Sequence, residues 1–537
     1  MQILNRSKFL IALVISVIGA FIFAHLIKQA FFTLTISDFS TYYYIPKAVL
    51  HLSRPEFPYT NLVPYYPFFY PPQSIPFFGL LSYLPFYLAK YFWTLLNVLL
   101  AISSIYIINS FFNKKIGLEF WLMLFGMIIF FPFQFTFTDG QFNIVILFFF
   151  VFIAKLLIRK EYFKLSLPLA LGIITKISPL IIFLYLLVKR KYKAVIYTLG
   201  FILIFTIIAE VLIKKGITYY YIRHVIDDVS KQASTPSFMD QSILGLLRRF
   251  NFPSDIIRRL VSYFITFILV AIVLLKDYLN KNKTKESFLI TYSGLVLIGI
   301  IGTGLSWYHQ FIVLLFPLYV CLLYTLKLKS NRKYALILIL LFSYLLMAIN
   351  LMGVFRGFFQ LSLLFGSLLL FVVLVYLLNT KPLIKVDFQF SKSQNMIITI
   401  FFLVSLFVSI NPVTFNQFLK EGRDRARIRG IDSTGQVLSE YKPAFKIGQA
   451  NSFVKNEKVD EGYILFENVG GNFRQALSLL LLDPINNKKY NYNFVSTSQH
   501  DFTLSARLES DLYKDKFGEF YSYLCTYKSC SQPHNIK

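Results

Sequence analysis

Asp38, in the stretch SDFSTYYY, follows within a few residues of an apolar run long enough to cross a bilayer. A carboxylate at the boundary between water and hydrocarbon keeps its charge and can take a proton from a hydroxyl, the task of a general base. The plainer reading is a solvated loop acid or the N-cap of a following helix. Lys176, in LALGIITKISPLIIF, is sunk in an apolar run. A cation at such depth costs about 2.5–3.5 kcal/mol on insertion scales, so it has a partner or a function. The natural partner is an anion carried by a lipid, and a phosphate fits, helped by backbone N–H groups freed where the helix breaks. Against this stand a snorkelling lysine and an internal ion pair.

His309, in SWYHQ, lies at a membrane boundary, where it can hydrogen-bond a sugar or a phosphate or handle a proton. It can equally be a belt residue beside Trp307 and Tyr308. Asp139 and Gln141 flank a glycine in TDGQFN and line a tight turn. Asp240, Gln241 and Ser242 open a short helix with Arg248 and Arg249 at its far end, and Arg258 and Arg259 precede the next apolar run. These arginines suit phosphate, as a clamp on a substrate or as loose contacts to lipid. Tyr42, and Tyr70 within the Pro- and aromatic-rich run 58–76, offer ring faces for sugar stacking or for an interfacial belt. The sequence carries no metal-ligand constellation, phosphate loop or dinucleotide fingerprint.

The elements that must position these residues are membrane helices. Of 537 residues 56% are hydrophobic and 15% charged, with mean hydropathy +0.59, more apolar surface than a soluble fold hides. The excess of 54 Lys and Arg over 27 Asp and Glu sits in short clusters between apolar runs, as in cytoplasmic loops, which argues against nucleic acid as the partner. The runs fall near 8–30, 89–112, 117–134, 142–158, 165–188, 194–213, 260–276, 288–305, 310–326, 334–350, 358–379 and 394–411. The first reads as a retained signal anchor with the N-terminus in the cytoplasm. Basic clusters flank 165–188 at both ends, which one span cannot satisfy, and Lys176 and Pro179 interrupt it. Two half-length helices meeting within the membrane satisfy both ends, giving about thirteen segments. Loops 31–88, 134–141 and 214–260, with SWYHQ and the tail after 412, then share the outer face. An enzyme there needs an activated substrate that has already crossed, such as a polyprenyl-phosphate sugar.

SDFSTYY, FYPPQSIPFFGLLSYLP, GQFNIVILFFF, LALGIITKISPLIIF, MDQSILGLLRRF and LSWYHQFIVLLFPLY, in this order, resemble the C-type polytopic glycosyltransferases, and family 87 in particular. The resemblance runs from about residue 8 to 330. It implies an all-α membrane module over 1–393 that transfers a hexose, usually mannose, from a polyprenyl-phosphate donor with inversion. Asp38 would be the catalytic base, Lys176 would hold the departing phosphate, and His309, Asp139, Gln141, Tyr42, Tyr70, Gln241 and Arg248 would contact substrate. The donor is itself the activated substrate, so no cofactor or metal is implied. The family pattern has Asn where Gln241 stands. The resemblance does not convey the acceptor, which is expected as a hydroxyl of a glycolipid, glycan or protein of the envelope.

Residues 394–537 read as a last membrane helix leading into a small α+β domain that resembles a type IV pilin or pseudopilin, outside the membrane. The pilin processing signature is absent, so the domain is embedded rather than assembled. LLLDPINNKKYNYNF and FTLSARLES look like the pilin sheet, tyrosine alternation and then a strand ending in Leu-Glu. Cys525 and Cys530 can pair as a disulfide in an oxidising compartment, whereas Cys321 lies in an apolar run and is inert. Two rival functions remain open at this level: a flippase or transporter of lipid-linked glycans, and an envelope scaffold tied to pilus machinery.

Overall fold

The computed structural model describes residues 2–32, 38–51, 68–112, 116–226, 240–249, 254–280, 284–328, 332–349, 361–380 and 390–410. In the C-terminal region it describes parts of 420–432, short strands within 448–459, and 492–496, 501–525 and 530–531. Most of the Pro-rich run 58–76, the stretch STPSFM and all of LLLDPINNKKY lie outside the described residues.

The helices are α1 (Gln2–Phe32), α2 (Asp38–His51), α3 (Ile75–Ser82), α4 (Phe86–Phe112), α5 (Leu118–Ile128), α6 (Phe131–Asp139), α7 (Asn143–Ile158), α8 (Tyr162–Thr175), α9 (Leu180–Val188) and α10 (Tyr192–Leu212). There follow α11 (Ile217–Tyr220), α12 (Ile243–Arg249), α13 (Asp255–Leu279), α14 (Lys285–Ile301), α15 (Leu315–Leu326), α16 (Arg332–Ala348), α17 (Ser362–Leu377), α18 (Lys392–Ile410) and α19 (Asp511–Phe517). Among the described residues six helices are long and apolar enough to cross a membrane: those within Arg6–Ala30, Leu88–Phe112, Tyr192–Leu212, Asp255–Leu279, Tyr308–Leu326 and Lys392–Ile410. Helices α7, α8 and α17 are apolar but shorter. The stretch expected as one span over 117–134, followed by a loop to 141, instead forms α5 and α6, bent by 62°. Pro132, in the first turn of α6, has no N–H to continue α5, and helix persists to Asp139.

Two compact units divide the chain. The first comprises 1–26, 69–77 and 91–409. Its centre is α14, buried at every position from Leu289 to Ile301. The interrupted run 165–188 is two helices, α8 and α9, separated by residues 176–179. Ser166 Oγ, near the start of α8, donates to the carbonyl of Ala194, near the start of α10, at 3.0 Å. The helix from Ser166 to Thr175 is about 14 Å long, and α9 adds nearly as much, so laid end to end they would carry α10 well beyond reach. The chain therefore doubles back at 176–179. Helix α9 returns beside α14, close enough that a Cβ on Gly299 would meet Ile181 Cγ2 at 2.8 Å and the Ser178 carbonyl at 3.1 Å. At its end Lys189 pairs with Asp277, which also accepts from Thr291 Oγ1 at 3.1 Å.

Several helix ends that border basic gaps meet in this unit. Lys285 Nζ donates to the last-turn carbonyl of Phe111 at 2.8 Å, and Lys327 Nζ donates to Phe112 beside it. Both close the end of α4, where carbonyls lack helical partners. Tyr324 OH donates to the Thr380 carbonyl at 2.7 Å, which brings the ends of α15 and α17 together. Helix α18 buries Ile398 alone and exposes apolar residues such as Phe407 and Val408, a surface suited to lipid. Asn395 attaches it to the start of α5 through the Ile116 carbonyl at 3.2 Å.

The second unit comprises 27–68, 78–90 and 410–537. In it Tyr43 OH donates to the Leu84 carbonyl at 2.7 Å, and burial pushes its phenol up to about 12, which keeps the donor proton in place. The tail forms an antiparallel five-stranded sheet of order β1-β4-β5-β6-β7: β1 (Gly448–Asn451), β4 (Tyr492–Ser496), β5 (Phe502–Arg507), β6 (Phe520–Cys525) and β7 (Cys530–Ser531). A separate pair is β2 (Val454–Lys455) with β3 (Lys458–Val459). The strands expected in NYNF and FTLSARLES are β4 and β5, paired from Tyr492 opposite Ala506 to Ser496 opposite Phe502.

A buried ionic knot locks segment 420–432 to the end of β5. Asp424 accepts from the amides of Glu509 and Ser510 at 2.8 and 2.7 Å, while Arg423 grips Glu509 through two nitrogens at 2.9 and 2.7 Å. Arg427, fully buried, bonds Asp424 at 2.8 Å and Glu509 at 2.6 Å. Nearby, Tyr521 OH donates to Asp432 at 2.8 Å, and burial raises the Asp432 pKa against that hydrogen bond. Removing one partner strands buried charge at a cost of about 3–5 kcal/mol. Arg427→Ala is therefore expected to destabilise the tail by that amount, read as faster limited proteolysis after residue 410 while the membrane helices stay protected.

Candidate functional site

Lys176 ends α8 in extended conformation, φ −147° and ψ 140°, and its N–H donates to the Gly172 carbonyl at 2.8 Å. The half-buried side chain carries Nζ over the Tyr70 ring, 5.2 Å from its centroid, a cation–π contact. The strand of chain bearing Tyr70 is stapled on both sides. Tyr221 OH donates to the Phe69 carbonyl at 2.8 Å, and Gln73 Nε2 donates to Thr206 Oγ1 of α10 at 3.1 Å. Gln73 was not anticipated from the sequence, because nothing local pairs it with a residue 133 positions away.

The Lys176 ammonium also acts electrostatically on His309. His309 opens the 3-10 stretch Tyr308–Leu314 and is 3% exposed. Its ring stacks on Phe135, with centroids 6.2 Å apart, and meets Trp307 edge-on at 5.6 Å. Thr136 of α6 donates to its carbonyl at 3.0 Å. Among the described residues neither His309 Nδ1 nor Trp307 Nε1 has a hydrogen-bond partner. Buried polar atoms ordinarily find partners, so such orphans are where a ligand belongs. Trp307, read from the sequence as an alternative belt residue, is thus a functional candidate.

Asp139 ends α6, and Gly140, with φ 69°, turns the chain left-handed into Gln141. Gln141 is buried and its Nε2 donates to Asp139 Oδ2 over a long 3.5 Å. Trp93 fixes this turn by donating from Nε1 to the Gly140 carbonyl at 2.8 Å. Since α6 holds both Asp139 and the Thr136 that grips His309, the turn and the histidine belong to one assembly.

Asp240 organises the rest. Fully buried, it accepts from the amides of Ser242 at 3.0 Å and Ser306 at 3.1 Å on one oxygen, and from Arg248 Nη1 at 3.0 Å on the other. Gln241, also buried, returns its N–H to the Ser306 carbonyl at 2.8 Å, and Asp240 and Trp307 form an antiparallel bridge. A Cβ on Gly245 would lie 2.6 Å from the Asp240 carbonyl, so α12 needs glycine there. Arg248, expected as a substrate contact, thus has a structural partner in Asp240. Burial lowers its pKa and Asp240 draws it back upward.

The first unit therefore brings Lys176, Tyr70 and His309 together, and ties Asp139, Gln141, Gln241 and Arg248 to the segments around them. Asp38 and Tyr42 belong to the second unit. Asp38 opens α2 and is half-buried, the position of a first-turn acid. Tyr42, expected as a sugar platform, is fully buried with its ring stacked on Phe78 at 4.5 Å and 6°. Its face is occupied by packing, a pairing that residue type alone does not reveal. Strands β6 and β7 set Cys525 opposite Cys530 in register.

Residues 68–298 match the family model of glycosyltransferase family 87, which supports a glycosyltransferase. The match covers Tyr70, Asp139, Gln141, Lys176, Gln241 and Arg248, and ends before His309. Neither a curated protein nor a solved structure matches the chain. The apolar helices and the family match together support a membrane location.

Asp240→Asn leaves the buried Arg248 guanidinium without a counter-charge and is expected to cost about 3–5 kcal/mol. The melting temperature of the purified protein should fall accordingly. Adding Arg248→Met should restore much of the loss, since the double change leaves no buried charge unpaired.

Proposed function

We propose that the protein transfers a hexose, mannose in the first instance, from a polyprenyl-phosphate donor to a hydroxyl of an envelope glycolipid, glycan or protein. The observation that carries this reading is Lys176 at a helix break, over the Tyr70 ring and acting on a buried His309 whose Nδ1 has no partner. A cation in an apolar helical pair suits a leaving phosphate, whose charge grows as the glycosidic bond breaks. The acceptor oxygen attacks the anomeric carbon from the face opposite the phosphate, and Asp38 takes its proton, so the configuration inverts. His309 hydrogen-bonds the phosphate or the sugar, and Asp139, Gln141 and Gln241 shape the pocket wall. The donor carries its own activation, so no cofactor enters the scheme.

In this reading the chain has about thirteen membrane segments, with α8 and α9 as two of them. The N-terminus is cytoplasmic and the chemistry lies on the outer face. The tail is an extracytoplasmic pilin-like domain that holds the acceptor, senses a partner or caps the site. The register of Cys525 and Cys530 suits a disulfide, since such cross-strand partners have Cα atoms about 4.5–5.5 Å apart, within bridging range. Membrane-inserted protein, prepared with its tail in an oxidising compartment, should then resist thiol alkylation at both positions until reduced.

Radiolabelled polyprenyl-phosphate mannose, incubated with purified protein and a membrane extract, tests the transfer. Asp38→Asn should lower turnover by roughly 10²–10⁴-fold with donor binding retained. Lys176→Ala should lower turnover by roughly 10²–10³-fold. Equal label transfer by wild type and Asp38→Asn removes Asp38 from the chemistry. Movement of labelled lipid between leaflets without a new glycosidic bond favours a flippase instead.

A further inference from the structure

Four guanidinium groups, Arg248, Arg249, Arg258 and Arg259, gather where α12 ends and α13 begins, and among the described residues the carboxylates of Asp240 and Asp255 pair with them. Arg248 has a side chain 2% exposed and spends Nη1 on Asp240, while its Nε and Nη2 find no hydrogen-bond partner among the described residues. Arg249 turns back onto the carbonyls of Asp240 and Gly245 at 3.1 and 3.2 Å. In the first turn of α13, Arg259 Nε bonds Asp255 at 2.7 Å. Arg258 Nε stands 3.7 Å from the same carboxylate, too far for a hydrogen bond. Arg248 feels Asp255, Arg258 and Arg259 electrostatically, so the groups form one cluster.

A buried guanidinium with unused donors is costly even when its charge is paired. A phosphate supplies several acceptor oxygens for those donors and a charge of the sign that arginines attract. The surroundings point the same way. Beyond its first turn α13 exposes Leu260, Tyr263, Phe264 and Phe267 as a lipid-facing surface, so its arginine-bearing end falls at the depth of lipid headgroups. Asp240 stands between Arg248 and the His309 loop, accepting from Arg248 on one oxygen and from Ser306 on the other.

We propose that Arg248, Arg258 and Arg259 form a binding site for a phosphate group, with the partly exposed Arg258 and Arg259 as its open edge and Arg248 behind them. The site is argued from this cluster alone and does not depend on the transfer reaction. An acidic lipid headgroup and a free phosphate ion share the required chemistry.

The full-length protein in zwitterionic detergent micelles is melted after addition of phosphatidylglycerol, phosphatidylcholine or inorganic phosphate. Binding to the folded state raises the melting temperature, here by roughly 2–5 °C. The rise is expected with phosphatidylglycerol, not with phosphatidylcholine, and should shrink as sodium chloride is added. The double variant Arg258→Gln/Arg259→Gln should lose most of it. The double variant Lys214→Gln/Lys215→Gln, with the same loss of charge elsewhere, should keep it. An arginine-dependent rise with inorganic phosphate as well assigns the site to the ion rather than to the lipid. An equal rise with both lipids, an undiminished rise in the arginine variant, or the same loss in both double variants overturns the site.

Discussion

A lysine at the point where two half-length helices meet within an apolar helical unit is the constraint around which the first unit is built. Breaking a helix frees backbone groups that have no water to turn to inside a bilayer, so the break must be enclosed by protein or line a cavity. The enclosure is visible in the packing. Helix α9 lies so close to α14 that only glycine fits at 299, and its far end is moored by the Lys189–Asp277 pair. Tyr70, held by bonds to α10 and to the turn at Tyr221, covers the lysine from another side. The cation is thus presented, rather than left to snorkel along a flexible stem.

Charge has two separate uses in this chain. At Asp240–Arg248, and at Arg427 with Asp424 and Glu509, buried ions tie segments distant in sequence into fixed positions. Each such pair gains little net stability but is costly to break. They therefore act as clasps that define where a loop or a tail must lie. Around Lys176 and His309 the polar atoms are not all matched, since His309 Nδ1 and Trp307 Nε1 have no hydrogen-bond partner among the described residues. Matched charges mark architecture, and unmatched donors and acceptors mark where a ligand is expected.

That distinction explains which residues were legible beforehand. The broken run at Lys176 was readable because basic clusters at both ends forbid a single crossing, and the folded chain doubles back there. Three helix ends that border basic gaps do meet, where Lys285 and Lys327 close the end of α4. Strands β4 and β5 were readable from their alternation. The partners of Arg248 and Tyr42, Asp240 and Phe78, were not legible, because a guanidinium or a phenol ring looks equally available in a sequence whatever covers it. The bend between α5 and α6 was missed because Pro132 sits in an apolar run whose hydropathy hides it.

Local rules carry as far as one element: hydropathy over about twenty residues sets a span, a proline stops a helix, and charge in a gap assigns its side. By itself, then, the sequence determined the membrane class and the interrupted helix with its lysine. Only the tertiary structure decided that His309 keeps an unpartnered nitrogen near Lys176, that Tyr70 covers the cation, and that Asp240 consumes one arm of Arg248. These are pairings between residues tens to more than a hundred positions apart. They depend on where whole helices pack, and burial and partnership arise only there.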